Sequence, residues 1–126
     1  MMDIDWGKGL FAHLGIELVE VTPDRVVARL QVSEKLMTVT GTVHGGTLMA
    51  FADTVGAVGT VANLVEGQST ATLESKTNFI AGCRSGTITA EAKPIHQGKR
   101  THVWETRITD EKGKLLSVTT QTQMIL

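Results

Sequence analysis

The sequence predicts an α+β domain in which one long helix is packed against one largely antiparallel sheet. Three observations lead there. Residues 41–64 form a long, nearly uncharged run with the composition of a buried helix, two strand-like segments precede it, and four follow it. Successive strands joined by short turns are antiparallel, and a single helix buries its surface only if such a sheet curls around it. At 126 residues the chain makes one domain, residues 1–126, with a real core and no room for a second.

In chain order, residues 6–13 read as a short helix offering Leu10, Phe11 and Leu14 to the core. Segments 15–21 and 25–32 flank a turn at Thr22-Pro23-Asp24. In the second segment Val26, Ala28, Leu30 and Val32 share one face, with Arg25, Arg29 and Gln31 on the other, the alternation of a sheet with one face on a core. Residues 33–40 show no period and read as a loop. The helix is expected to begin near Gly45. It carries a bulky face of Leu48, Phe51, Val55 and Val58, whereas Met49, Ala50, Gly56 and Ala57, three and four residues from Asp53, are mostly small and leave space beside the carboxylate. Glu66-Gly67 breaks the helix. A Thr-rich strand over 69–80 follows, then a loop at 82–86, strands at 87–96 and 100–109 joined through Gln97-Gly98-Lys99, a turn at 110–113, and a last strand over 115–124.

Composition removes several function classes. A net charge of −1 argues against nonspecific binding to nucleic acid or to anionic membranes. The single Cys83 excludes an internal disulfide framework and points to a reducing compartment, with a buried, inert thiol as its expected state. Asp3 and Asp5 stand where a signal peptide needs positive charge, so a cytoplasmic protein is expected. Residues 41–64 match the ~20 residues of a membrane span, but four threonines, five glycines and a central Asp make the run a poor one. His13, His44, His96 and His102 show no metal-ligand spacing, and there is no phosphate loop and no GxSxG elbow. No metal and no separate cofactor is expected.

The chemistry centres on Asp53. A carboxylate in an apolar helix is costly to desolvate unless something pairs with it or uses it. Two readings stand: a reacting acid or base, or a side chain tied to a backbone or Thr group. His44, Gly45 and Gly46 mark the start of the same helix. Glycine lets a backbone approach a ligand, and the first free amides of a helix are anion-binding donors. A helix beginning near Gly45 places Asp53 ~12 Å further along its axis. One substrate carbonyl therefore cannot meet both groups within one subunit, and if both act on it they come from two subunits related by a two-fold axis.

His44-Gly45-Gly46, followed by Asp53 eight residues after the first glycine in a small-residue helix, resembles the hot-dog-fold acyl-CoA thioesterases of the phenylacetate-pathway (PaaI-like) type. The resemblance runs from Trp6 to the final strand. It implies a hot-dog fold, with a long central helix wrapped by a curved antiparallel sheet of five to six strands. It also implies hydrolysis of aryl- or short/medium-chain acyl-CoA to free acid and CoA, in a homodimer with two identical sites at its interface. A homotetramer is the expected assembly. In that frame the Gly45 amide polarises the thioester carbonyl, and Asp53 of the partner subunit is either a nucleophile or a general base. His44 holds either the loop or the thioester, and Gly46 belongs to the substrate-binding loop. Thr72 falls where relatives have a Ser or Thr that positions water, and equally fits a strand-forming Thr. Thr38, seven residues before Gly45, replaces the Asn or Gln that many relatives use to orient water or substrate. Arg84, Lys99 and Arg100 are the cations resembling those that meet the CoA phosphates. Two other readings are a hot-dog enoyl/hydroxyacyl-thioester hydratase-dehydratase, whose His-carboxylate constellation is not visible here, and a non-catalytic acyl-CoA-binding module. The latter would normally carry a helix-turn-helix for which no segment is available.

Overall fold

The apolar run becomes helix α2, Gly45–Val61, and the other elements are arranged to cover it. The computed structural model describes residues 3–126. Helix α1 (Gly9–Leu14), strands β1 (Glu17–Thr22) and β2 (Arg25–Gln31), and a 3-10 turn at Glu34–Leu36 precede α2. Strands β3 (Thr70–Phe79), β4 (Thr87–Gln97), β5 (Thr101–Thr109) and β6 (Leu115–Ile125) follow it. Every pairing is antiparallel, and the strands form one sheet in the order β1-β2-β4-β5-β6-β3. This is the helix-in-curved-sheet arrangement expected from the sequence. No described helix is long and apolar enough to cross a membrane.

Irregularities in pairing supply the curvature. Register shifts interrupt β1–β2, β3–β6, β4–β5 and β5–β6, and an extra residue in one strand bends it and increases its twist. Pro94 lies in β4 beyond Ala92, the last β4 residue paired with β2, so its missing N–H removes no bond on that side.

The core holds the expected faces. Val26, Ala28, Leu30 and Val32 of the β2 segment are buried, as are Leu48, Phe51, Val55 and Val58 of α2. Trp104 crosses the helix at Gly59, where a Cβ would lie 2.5 Å from the indole Cη2. Its Nε1–H donates to Thr60 Oγ1 at 2.9 Å, and the same hydroxyl lies 3.1 Å from His102 Nδ1.

Element ends shift for local reasons. Strand β1 starts at Glu17 instead of residue 15 because Gly15, at φ 72°, caps α1 and returns its N–H to Ala12. Helix α2 stops at Val61, three residues early, where Asn63 folds back to donate to the carbonyls of Gly59 and Pro23. Leu10 does not join the core. Helix α1 has only six residues and buries Leu14, leaving Leu10 56% exposed.

The inner face of the sheet along β6 and β3 is polar. On β6 the inward residues are Ser117, Thr119, Gln121 and Gln123, all buried. Opposite them on β3 stand Phe79, Thr77, Ser75 and Thr72. The register shift between Thr72 and Glu74 switches parity, so residues 72, 75, 77 and 79 all share the helix-facing side.

Candidate active site

Helix α2 opens on His44, whose extended backbone (φ −65°, ψ 136°) makes it the N-cap. Its Nδ1 accepts a 2.7 Å hydrogen bond from the Gly46 N–H, and its carbonyl accepts from Thr47 and Leu48. The Gly46 amide and the His44 ring are thus both engaged in capping. The Gly45 N–H has no acceptor among the described residues. Gly45 opens on a cleft of about 370 Å³ whose walls include Thr38, Thr42, Leu48, Phe79 and Ile80. Phe79 lies so close that a Cβ on Gly45 would stand 3.1 Å from its ring, which is why glycine fits here.

Thr38 lines this cleft, but its hydroxyl is also the hub of a turn. It lies 3.0 Å from the Thr40 hydroxyl and 3.3 Å from that of Thr42, and accepts from the Thr40 and Thr42 amides. Beyond Thr42 and Gly82 the cleft continues into a larger one of about 630 Å³, bordered by Arg84, Lys112 and Lys114 with Asp110 and Glu111. Arg84 leans on the Thr40 and Gly41 carbonyls at 3.4 and 3.5 Å. Cys83 is buried beside it, its thiol donating to the Ser85 carbonyl.

Asp53 sits where α2 passes β3 and β6. Its Oδ1 accepts from Thr72 Oγ1 at 2.8 Å and from Gln121 Nε2 at 3.2 Å, while Oδ2 meets no donor among the described residues. Gln121 Nε2 also reaches the Asp53 carbonyl at 3.1 Å and Gln123 Oε1 at 2.9 Å. Thr72 Oγ1 lies 2.5 Å from Gln123 Oε1, and Gln123 Nε2 donates to Thr70 Oγ1 at 3.0 Å.

The structure therefore forms two groupings on one helix. Thr38, His44, Gly45, Gly46 and Arg84 gather at its mouth, and Asp53 with Thr72 lies halfway down. Because α2 does begin at Gly45, the ~12 Å axial separation of Gly45 and Asp53 holds. Lys99 and Arg100 join neither grouping. They sit on the β4–β5 hairpin, and the eleven residues of β4 separate them from Arg84 by ~33 Å. The expected space beside Asp53 is only partly open, since the room above Gly56 is filled by the Gln121 amide.

Gln121 and Gln123 are site residues that the sequence reading passes over. In an alternating strand the polar positions are assigned outward, and β6 reverses this by burying Ser117, Thr119, Gln121 and Gln123. The available signal was that residues 117–123 carry polar groups on both faces, which a strand over an apolar core does not do.

Residues 40–117 match the family model described as the thioesterase superfamily. The 1,4-dihydroxy-2-naphthoyl-CoA hydrolase of Listeria monocytogenes is 37% identical over 110 residues, covering 87% of this chain and 89% of its own. The enzyme of the same name from Escherichia coli K12 is 30% identical over 121 residues, 95% of this chain and 89% of its own. The crystal structure of the thioesterase HI1161 from Haemophilus influenzae superposes with a TM-score of 0.91 at 32% identity, covering 96% of this chain and 85% of that one.

Proposed function

This chain belongs to the thioesterase superfamily and is a thioester hydrolase, and from that premise we propose that it hydrolyses an acyl-CoA at a site shared by two copies of the chain. One observation carries the reading: a free Gly45 N–H opens on a cleft, and a carboxylate with one free oxygen lies ~12 Å down the same helix, out of its reach.

The β3 edge supports the sharing. Among the described residues this ten-residue strand pairs only with β6, and Leu73, Phe79 and the adjoining Ile80 are more than half exposed. Such an edge is a template for a second strand. Asp53 is bonded to Thr72 and Gly45 stands against Phe79, so pairing Thr72 with Phe79 of the partner subunit brings an acid to a donor twice over. It also sets Ser69 opposite Gly82 of the partner subunit, turning the Lys99–Arg100 end of one copy toward the Arg84 end of the other. Arg84, with Lys112 and Lys114 along the larger cleft, then offers positive charge to the CoA phosphates. A tetramer would be formed by pairing dimers through the outer sheet face.

The thioester carbonyl would point at the Gly45 amide, where one such donor is worth ~3–4 kcal/mol of barrier. Asp53 of the partner subunit has two available roles. As a general base its Oδ2 takes a proton from water while the water oxygen bonds to the carbonyl carbon. The oxyanion then collapses, the C–S bond breaks, and the CoA thiolate takes the proton back from Asp53. As a nucleophile Oδ2 displaces CoA to form an anhydride, which water then hydrolyses. Thr72 steers the carboxylate, His44 holds the helix mouth, and Thr38 and Gly46 complete the loop around the thioester. Both named hydrolases above take an aryl-CoA, and Phe79 beside Gly45 gives an aromatic acyl group a ring to pack on. Aryl-CoA is therefore the first substrate class, with short- and medium-chain acyl-CoA next. A CoA substrate and a lone thiol fit a cytoplasmic enzyme.

The test is thiol release from a panel of acyl-CoAs, including 1,4-dihydroxy-2-naphthoyl-CoA, by wild type, Asp53→Ala and Asp53→Asn. Release by wild type and its loss in both variants supports the reading. Tight binding without release of CoA from any acyl class would make the protein a binder, and change at an enoyl double bond without release would make it a hydratase.

A further inference from the structure

Gln121 is buried to 1% exposure on the inner face of β6, a position where an apolar side chain would be the inexpensive choice. Among the described residues its Oε1 has no hydrogen-bond partner, yet its Nε2 reaches three acceptors: Asp53 Oδ1, the Asp53 carbonyl and Gln123 Oε1. A buried carbonyl left unpartnered is destabilising, and a position that breaks a local rule in this way is characteristic of a functional site. Gly56 completes the arrangement. It lies one turn beyond Asp53, and a Cβ there would collide with the Gln121 amide, so this glycine makes the seat for that side chain.

The bonds have a direction. Thr72 and Gln121 both donate to Oδ1, and neither touches Oδ2. We propose that Gln121, seated against Gly56 and bonded to Gln123, is a positioning residue that together with Thr72 pins Oδ1 of Asp53, so that Oδ2 alone is presented to the reacting group. This rests on Asp53 being the acid or nucleophile of the thioesterase reaction. The array serves both protonation states of a general base. Thr72 has one proton and two acceptors, Asp53 Oδ1 at 2.8 Å and Gln123 Oε1 at 2.5 Å. While Asp53 is ionised, its charged Oδ1 accepts the Thr72 hydrogen bond. Once Asp53 has gained a proton at Oδ2, Oδ1 is the weaker acceptor, and the Thr72 hydroxyl turns its own proton to Gln123 without any proton leaving the array.

The experiment compares Gln121→Met, which keeps the volume and removes the donor, with Gly56→Ala, which displaces Gln121 without altering its chemistry. Asp53→Asn, Gln121→Ala and the double variant Gly56→Ala/Gln121→Ala complete the set. With the acyl-CoA that wild type turns over best, kcat falls on the order of ten- to a hundredfold in Gln121→Met, the scale of a hydrogen bond to a charged group, while KM stays within about twofold because no substrate contact is lost. Gly56→Ala costs about as much alone and almost nothing further beside Gln121→Ala, since the smaller side chain makes room for the methyl. Should Gln121→Met not fold, Gly56→Ala and the double variant decide. Wild-type kcat in Gln121→Met with an inactive Asp53→Asn overturns the positioning role and leaves the function standing. A fully active Asp53→Asn removes Asp53 from the reaction, and this role with it, while thioester hydrolysis itself stands.

Discussion

Thr72 Oγ1 lies 2.8 Å from Oδ1 of Asp53 and faces it from an exposed edge strand, so the residue bonded to the carboxylate also belongs to the strand that the proposed second copy would extend. A valine at position 72 keeps the β-branched shape and removes the hydroxyl. Thr72→Val is expected to lower kcat about tenfold, in line with one lost hydrogen bond to a charged acceptor. Thr72→Ser should stay close to wild type. Steady-state kinetics on the preferred acyl-CoA decide it, and an undiminished Thr72→Val would reduce Thr72 to a strand former.

Gly45→Pro removes the proposed oxyanion donor and adds a ring beside Phe79. Proline is well tolerated at the first position of a helix, where the missing N–H has no intrahelical role. The preceding residue must be extended, and His44 at ψ 136° already is. The new ring would press on Phe79, a half-exposed side chain free to shift. The expected result is a kcat reduced about 10²–10³-fold with little change in melting temperature, whereas Gly45→Ala, which retains the N–H, falls far less. Equal activity of the two variants would dismiss this amide as the donor.

How much of this was legible in the chain follows from which residues obey simple periodicity. The β2 face of Val26, Ala28, Leu30 and Val32 and the α2 face of Leu48, Phe51, Val55 and Val58 could be read directly, because apolar side chains at period 2 or 3.6 have one physical destination. The start of α2 could be read because His44-Gly45-Gly46 stands at the entrance of a long apolar run. Gln121 was not legible. Its burial depends on a non-local event, β6 passing beneath Asp53; the polar groups on both faces of 117–123 signal a covered polar face but not which face it is or what covers it. Gly56 read as open space for the same reason, since the side chain that fills it comes from 65 residues further along the chain. Lys99 and Arg100 looked equivalent to Arg84 in sequence, and only the length of β4 shows that they lie at opposite ends of the sheet.

Gly59 provides a packing test away from the site. Any side chain there meets the buried Trp104, whose Cη2 would lie 2.5 Å from the added Cβ. Gly59→Ala should destabilise the fold by about 1–3 kcal/mol through overpacking, read as a lower urea midpoint. The gain in helix propensity, about 1 kcal/mol, offsets only part of it. A midpoint at or above wild type would mean that the indole moves aside freely.

His102 sets an acid limit to stability. Burial pushes its pKa below the ordinary 6.5, with nearby His96 adding to the shift. The folded state therefore favours the neutral ring and the unfolded chain takes up the proton first, so stability is complete above about pH 6.5 and is lost as pH falls from there through the folded-state value. Glu91, lowered chiefly by its hydrogen bond from Arg25, and Asp110, lowered chiefly by the Lys114 amide, act in the same direction only below the carboxylate range. Urea midpoints should fall between pH 7.5 and 5.5 in wild type and stay nearly flat in His102→Gln. Parallel curves for the two proteins would contradict this.

The shared site is tested most directly by mixing two disabled chains. Asp53→Asn lacks the acid and Gly45→Pro lacks the donor, and each is expected to be inactive alone. Unfolded together in equal amounts and refolded, half of the dimers are mixed, and each mixed dimer holds one intact site, so about a quarter of wild-type activity should return. If each chain carries its own complete site, or if the chain works as a monomer, the mixture will stay as inactive as its two components.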